Sequence, residues 1–443
     1  MSRGRGDRHP RGAAEPLKSA ESDHAMIRFI HAADAHIDSP LRGLDAHEGA
    51  PLDVLRGSTR KAFENLVQLA LDEKVDFLLL AGDLYDGDWK DYSTGLFFRA
   101  QMVRLREGGI PVYLAAGNHD AASVISRKLS LPDNVHVFST RTAESREVPG
   151  LPVVIHGRGF PHRAVPENLA SDYPSAVPDR FNVGLLHTSL TGRAGHDTYA
   201  PCSEADLRRK GYDYWALGHV HQPEVVSRDP WIVFSGNLQG RDIREAGPRG
   251  CRLVTVDDRL VVEGAEFHDV SVVRWRVLDV DLGGVHESSE ALSRAAASMA
   301  AAAAEADGRL VAARIVFKGA SPLHGSLHRE AAWWRAEILG RAQEQAADRL
   351  WIEHVQAATS PVYDPEKLAE RDELTRIVLD ALKDATVSAD RLPREVMEML
   401  DALPNEVRRA VEIQWEGDGG ASMLEDVRAI ILDGLGTGGR RVS

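Results

Sequence analysis

Apolar runs alternate with amphipathic stretches through the first quarter of the chain. Met26–Ile30 predicts a short strand. Ser58 is the expected cap of a helix from Thr59 to about Glu73, with Phe63, Leu66, Val67 and Ala70 on one face. Val75–Leu80 predicts a buried strand. A helix presenting Leu96, Phe97, Ala100 and Val103 follows, then a third strand over Ile110–Ala115. This rhythm predicts parallel strands joined by crossover helices. In open α/β sheets, sites gather at the carboxyl ends of the strands.

From about Val135 the pattern changes to strands without obvious helices between them: Val153–Gly157, Phe181–Leu186, Tyr214–Leu217 and Trp231–Phe234. Leu253–Val256 and Leu260–Val262 flank Asp257-Asp258-Arg259 and predict a hairpin. A second sheet packed on the first is expected, an α/β/β/α sandwich over residues 26–270. Residues 271–358 read as a further β-α-β-α-β unit, with helices over 291–305 and 327–347. Trp333 and Trp334 lie in the second of these and are expected in its core. After a linker at Ser360-Pro361 to Pro365, short amphipathic helices are expected over 366–435. Leu374, Ile377, Val378 and Leu382 share one face there.

At 443 residues, two or three domains are expected. Residues 1–25 carry Arg3, Arg5, Arg8 and Arg11 without an apolar core, so they read as a disordered tail and not a secretion signal. No apolar run approaches the ~18 residues of a membrane span. Cys202 and Cys251 have no paired spacing and suggest reduced thiols in a cytoplasmic protein. The net charge of −14 argues against nucleic-acid binding through a broad basic surface. It leaves a nuclease open, because bound cations add positive charge at a site.

The chemistry lies in five short segments at predicted strand ends. Asp34-Ala35-His36, Gly82-Asp83, Gly117-Asn118-His119-Asp120, Leu186-His187 and Gly218-His219-Val220-His221 follow one another in order. A two-metal phosphoesterase needs two divalent cations about 3.5–4 Å apart, held by carboxylates and imidazoles from different strands. The candidate ligands divide into Asp34, His36, Asp83 and His221 for one ion and Asp83, Asn118, His187 and His219 for the other, with Asp83 shared. Oxygen and imidazole donors without thiolate suit Mn, Fe or Zn better than Mg or Ca. A water between the ions would lose its proton near neutral pH and attack phosphorus in line. His119 is assigned as the general acid, with Asp120 orienting it. Arg241 is a candidate phosphate contact, with a structural role equally open. His31 and His156, in strand-like runs, read as core or edge histidines.

These segments resemble the calcineurin-like metallophosphoesterase superfamily, and within it the SbcD-like DNA exonuclease subunits. The resemblance rests on Phe29–His36, Leu80–Asp86, Ala116–Asp120 and Leu217–Pro223, with Ser235–Arg241 and Gly247–Gly250 similar to a further nuclease segment. By arrangement, residues 271–358 resemble a small α/β capping domain. The resemblance implies Mn²⁺-dependent cleavage of DNA phosphodiesters in DNA repair, an SMC-like ABC ATPase partner of the SbcC kind, and a homodimer. Many such nucleases carry a His three residues after the second Asp ligand; here Asp86 stands there. Two alternatives are open: a phosphodiesterase or phosphatase for nucleotides or phosphoproteins, and a non-enzymatic regulatory scaffold for an ATPase.

Overall fold

A computed structural model describes residues 26–39, 49–86, 92–122, 130–190, 199–346 and 348–362, with isolated positions within 373–380 and 429–431. The expected tail over 1–25 and nearly all of the expected helical segment over 366–435 lie outside the described residues.

Two six-stranded mixed sheets form the body. The first contains β1 (Ile27–Ala32), β2 (Phe77–Leu80), β3 (Val112–Leu114) and β4 (Val135–Val137), parallel to one another, with the hairpin of β11 (Gly250–Val256) and β12 (Val262–Asp269) beside β1. The second contains β5 (Glu144–Glu147), β6 (Val153–Gly157), β7 (Phe181–His187), β8 (Tyr214–Gly218), β9 (Glu224–Arg228) and β10 (Trp231–Phe234), in the order β5-β6-β7-β8-β10-β9. The hairpin turn at Asp257–Leu260 is closed by Asp257, whose side chain accepts from the Arg259 and Val261 amides.

Phe29, Phe77, Phe181 and Tyr214 meet between the sheets, with Phe29 stacked on Phe77 at 4.8 Å and edge-on to Tyr214 at 5.4 Å. Burying one such ring is worth about 1.5–3 kcal/mol, so this layer sets how the two sheets register. Helices α1 (Leu52–Asp72) and α2 (Tyr92–Glu107) cover the outer face of the first sheet. Short helices α3 (Asn118–Ala122) and α4 (Glu204–Arg208) follow, and α4 with the segment around Leu169–Tyr173 covers the second sheet. The result is the expected α/β/β/α sandwich.

Two helix expectations need correction. Helix α1 starts at Leu52, and Ser58 lies inside it, its hydroxyl donating to the Leu55 carbonyl at 2.6 Å. Helix α2 buries Thr94, Gly95, Phe98, Gln101, Met102 and Leu105, while Leu96 is exposed. Two polar residues on the buried face shifted the apparent apolar stripe.

A third, three-stranded parallel sheet holds β13 (Val273–Asp281), β14 (Leu310–Ala320) and β15 (Leu350–Ser360). Helices α5 (Ser288–Glu305), α6 (His324–Arg329) and α7 (Ala331–Ala346) pack on one face. Trp334 is in that core as expected, but Trp333 is 43% exposed. Val273, Trp275, Ala312 and Trp351 join Leu55 of α1 in a separate apolar cluster that seats this unit on the body. Among the described residues no helix is long and apolar enough to cross a membrane. Both cysteines are free and buried.

Candidate metal centre

The ends of β1, β2, β3, β7 and β8 converge at one edge of the two sheets. Their loops are tied together by backbone bonds: Asp34 N donates to Gly82 O at 2.9 Å, His36 N to Asp83 O at 3.0 Å and Thr188 N to Gly218 O at 3.2 Å. The packing is tight enough to require glycine. A Cβ on Gly218 would lie 1.9 Å from Ala81 O, and one on Gly82, at φ +92°, 2.5 Å from His187 Nδ1. Asp34, His36, Asp83 and His219 all adopt positive φ, at 50°, 42°, 53° and 97°. Such backbone is costly for residues with a Cβ and clusters at functional sites.

All seven candidate ligands are brought to this edge. Asp34, His36 and His221 form one group whose ligand atoms lie within 4.8 Å of one another; Asp34, Asp83 and His187 form another. His187 Nε2 is 2.8 Å from Asn118 Oδ1 and 3.5 Å from Asp83 Oδ2. The His219 ring lies beside His187, centroids 5.2 Å apart, with Tyr199 at 5.6 Å. Its backbone N–H donates to both oxygens of Asp34 at 3.1 and 3.0 Å.

The tautomers follow from the partners. His36 Nδ1 donates to Asp86 at 2.7 Å and His221 Nδ1 to Glu245 at 2.6 Å. The two Nε2 atoms then face each other at 3.2 Å, beside the Asp34 carboxylate. Two imidazole lone pairs turned toward one point and a carboxylate fit a divalent cation, and carboxylates behind metal-binding histidines fix this orientation. His187 instead donates from Nδ1 to the Ala81 carbonyl at 2.9 Å.

Charge and burial act on these groups together. Burial pushes His36 down to about 4, with Arg241 adding to the effect, so its imidazole is neutral at pH 7. Burial pushes Asp34 up to about 6, against the pull of His221 and His187. Burial alone would raise Asp83 and lower His187. Their mutual attraction outweighs it, holding Asp83 well below the usual carboxylate range and raising His187 to about 9. Burial would likewise raise Asp86 and Glu245, yet His36 holds Asp86 low, and His221 with Arg241 holds Glu245 low.

His119 stands at the rim with its ring 30% exposed, the accessibility an acid acting on a leaving group needs. Its backbone N–H donates to Asp83 Oδ1 at 3.0 Å. The carboxylates beside its ring are Asp86, 3.4 Å from Nδ1, and Asp83, 4.0 Å from Nε2, and not Asp120. Asp120 is buried below, where Oδ1 accepts from the Leu84 and Tyr85 amides and Oδ2 from the Gly117 amide. The following residue in a helical turn points away from its neighbour, so adjacency in sequence misled here. Asp86 thus serves both His36 and His119, and Ser39 and Arg241 reach it as well.

Arg241 lies in the same cluster, its guanidinium on Glu245 at 2.9 Å and 3.2 Å from His221 Nδ1. Glu245 carries no sequence signal, since it follows His221 only after β9, β10 and a further loop, and only the tertiary fold brings it back. His31 and His156 are fully buried, as expected of core histidines. His31 bridges the sheets, with Nδ1 3.1 Å from Tyr214 Oη and Nε2 3.1 Å from Leu217 O.

Comparison with known proteins agrees with this geometry. Residues 27–223 match the calcineurin-like phosphoesterase family, and residues 275–360 match the middle domain of the metallophosphoesterase YhaO. The chain is 38% identical over 261 residues to a Bacillus subtilis protein called uncharacterized metallophosphoesterase YhaO, covering 58% of this chain and 63% of that one. It is 25% identical over 217 residues to the DNA double-strand break repair protein Mre11 of Methanopyrus kandleri, covering 44% and 45%. The chain therefore spans less than two thirds of either relative's length. A dimetal phosphatase from Danio rerio aligns over 55% of this chain and 97% of its own at 10% identity, with a TM-score of 0.33, too low to bear on function.

Proposed function

We propose that residues 27–223, which match the calcineurin-like phosphoesterase family, are a metallophosphoesterase domain and that the chain is a two-metal DNA exonuclease. The observation that carries the hydrolytic part is the pair of ligand groups around Asp34, Asp83, His36, His187 and His221. We assign Asp34, His36, Asp83 and His221 to one ion and Asp83, Asn118, His187 and His219 to the other, with Mn²⁺ as the metal. Bound there, the ions would neutralise the phosphate and supply a nucleophilic water at neutral pH.

The chain's own residues do the rest. His119 donates a proton to the leaving oxygen, and Asp86, 3.4 Å from its Nδ1, orients the ring. Arg241, held by Glu245, contacts a phosphate oxygen. DNA as substrate is supported by the likeness to Mre11 and by a separate α/β unit seated against the domain. We further propose a cytoplasmic DNA-repair role, a homodimer, and an SMC-like ABC ATPase of the SbcC kind as partner, bound through residues 366–435. A second reading, a phosphodiesterase or phosphatase for smaller phosphoesters, is favoured by the Asp86 carboxylate within the cleft and the net charge of −14.

The test is degradation of end-labelled duplex and single-stranded DNA in Mn²⁺, beside His119→Ala and Asp83→Ala, with bis-p-nitrophenyl phosphate as a generic diester. DNA shortened from its ends by the wild type and by neither variant is the expected result. Cleavage of the small diester with intact DNA, even after the ATPase is added, would move the assignment to the second reading.

A further inference from the structure

Glu245 stands outside the ordered motifs, yet it holds one of their ligands, His221. Its carboxylate is fixed from several sides. Asn237 Nδ2 and the Arg241 amide each donate to Oε2 at 2.8 Å, and Arg241 Nη2 donates to Oε1 at 2.9 Å. Arg249 ties the same segment to the His221 backbone, donating to His221 O and, from Nε, to Glu245 O at 3.1 Å.

The other side of this segment is fastened to β13, the first strand of the three-stranded unit. Trp275 Nε1 donates to Gly240 O at 2.9 Å, and Gly247 N donates to Trp275 O at 2.9 Å. Gln239 Nε2 donates to Val273 O at 2.8 Å, while its Oε1 accepts from the Val272 and Val273 amides at 2.9 and 3.1 Å. Ile243 and Ala246, on either side of Glu245, pack on the cluster of Trp275, Trp351, Val273 and Leu55. A Cβ at Gly240 would lie 2.6 Å from Glu245 O and 3.0 Å from the Trp275 ring, so the loop is pressed between them.

Building on the two-metal reading above, we propose that the three-stranded unit is a positioning element for the ion held by Asp34, His36 and His221. The seat of Trp275 on residues 240–247 places Glu245, and Glu245 places the His221 ring. Trp275 and Glu245 are therefore positioning residues, acting through His221. His187 lacks this dependence, because its Nδ1 bonds to Ala81 O within the strand ends. Any partner that shifts the unit would then change the affinity of one ion and not the other.

The experiment titrates the full-length chain, stripped of metal, with Mn²⁺ by equilibrium dialysis and electron paramagnetic resonance. Wild type, Glu245→Ala, Glu245→Gln and Trp275→Phe are compared, with melting curves for each. Glu245→Ala should weaken one of two ions by about 10–100-fold, the usual effect of losing a carboxylate behind a ligating histidine. The other ion should be unchanged. Glu245→Gln, whose amide oxygen can still accept from Nδ1, should recover part of the loss. Trp275→Phe keeps an aromatic ring but not the N–H, and should weaken the same ion by about fivefold, the worth of one hydrogen bond. The proposal is overturned if Trp275→Phe leaves both affinities intact. It is equally overturned if both ions weaken together in step with the melting temperature. A wild type that takes up no ion would overturn the two-metal reading itself, and this proposal with it.

Discussion

His36 and His221 turn their Nδ1 atoms toward carboxylates, Asp86 and Glu245, whereas His187 turns its own toward a backbone carbonyl, Ala81 O. The first pair is braced by charge, and one of its two braces comes from a loop that the three-stranded unit clamps. The second is built into the ends of β2 and β7, where Gly82 and Gly218 let the loops close on the ring. A bond to the backbone moves only when the strands move. A bond to a carboxylate on a loop can be released while the sheets stay intact. One half of the centre is therefore open to adjustment from outside, and the other is as rigid as the core beneath it.

The comparison breaks completely if Asp83, the residue proposed to serve both halves, is lost. Asp83→Ala should remove both ions and lower hydrolysis of bis-p-nitrophenyl phosphate by on the order of 10³-fold or more, since the metals carry most of the charge stabilisation. Metal analysis beside the assay checks it; an Asp83→Ala chain still holding two ions would contradict the sharing. Next in size is His119→Ala. It should keep both ions yet lower turnover by about 10²–10⁴-fold on a diester with a poor leaving group. The loss should be smaller with p-nitrophenolate, which needs little protonation. An equal loss on both substrates would remove His119 from the acid's role.

The strands carrying the first half come from different sheets, β1 and β8, and His31 staples them. Burial lowers its pKa from 6.5 to about 3, with a weaker push from Arg252, so the folded chain holds it neutral. The unfolded chain then binds the extra proton between about pH 6.5 and 3, and stability falls as pH falls through that window. Between pH 6.5 and 4.5 the wild type should lose roughly 2–3 kcal/mol from this group. His31→Gln should lack that slope, whatever its stability at pH 7. Urea unfolding at the two pH values measures it, and parallel slopes would show that His31 does not carry the acid sensitivity.

The smallest effect concerns Asp120, which ties the Asp83 and Asn118 loops of the second half through three amides. Asp120→Asn keeps one acceptor and should cost roughly 1–2 kcal/mol of stability. Turnover of a diester with a poor leaving group should change little, whereas Asp86→Asn should lower it. A matching loss in Asp120→Asn would restore that residue as the partner of His119.

Much of this architecture is legible in the order of the residues. The candidate ligands stand at strand ends in a fixed order, and the strands are dense apolar runs, so the sandwich and the meeting of these residues at one edge follow from pattern. What the pattern hides has physical causes. Ser58 looks like a cap, but its hydroxyl bonds inside a helix that began at Leu52. Thr94 and Gln101 are polar yet buried, which turned the face of α2. Asp120 follows His119, yet loop amides absorb both of its oxygens. Asp86 stands where many such nucleases carry a His, and the fold sets it 2.7 Å from His36 and 3.4 Å from His119. Glu245 reaches His221 only after the chain has made β9, β10 and a further loop, a distance over which residue spacing says nothing.

The central claim is that two unlike half-sites share Asp83. Stoichiometric Mn²⁺ binding to the metal-stripped wild type, followed by electron paramagnetic resonance at low temperature, tests it most directly. Two ions per chain with an exchange-coupled signal are predicted, as expected when one carboxylate bridges neighbouring ions. A single ion, or two with independent signals, would contradict it.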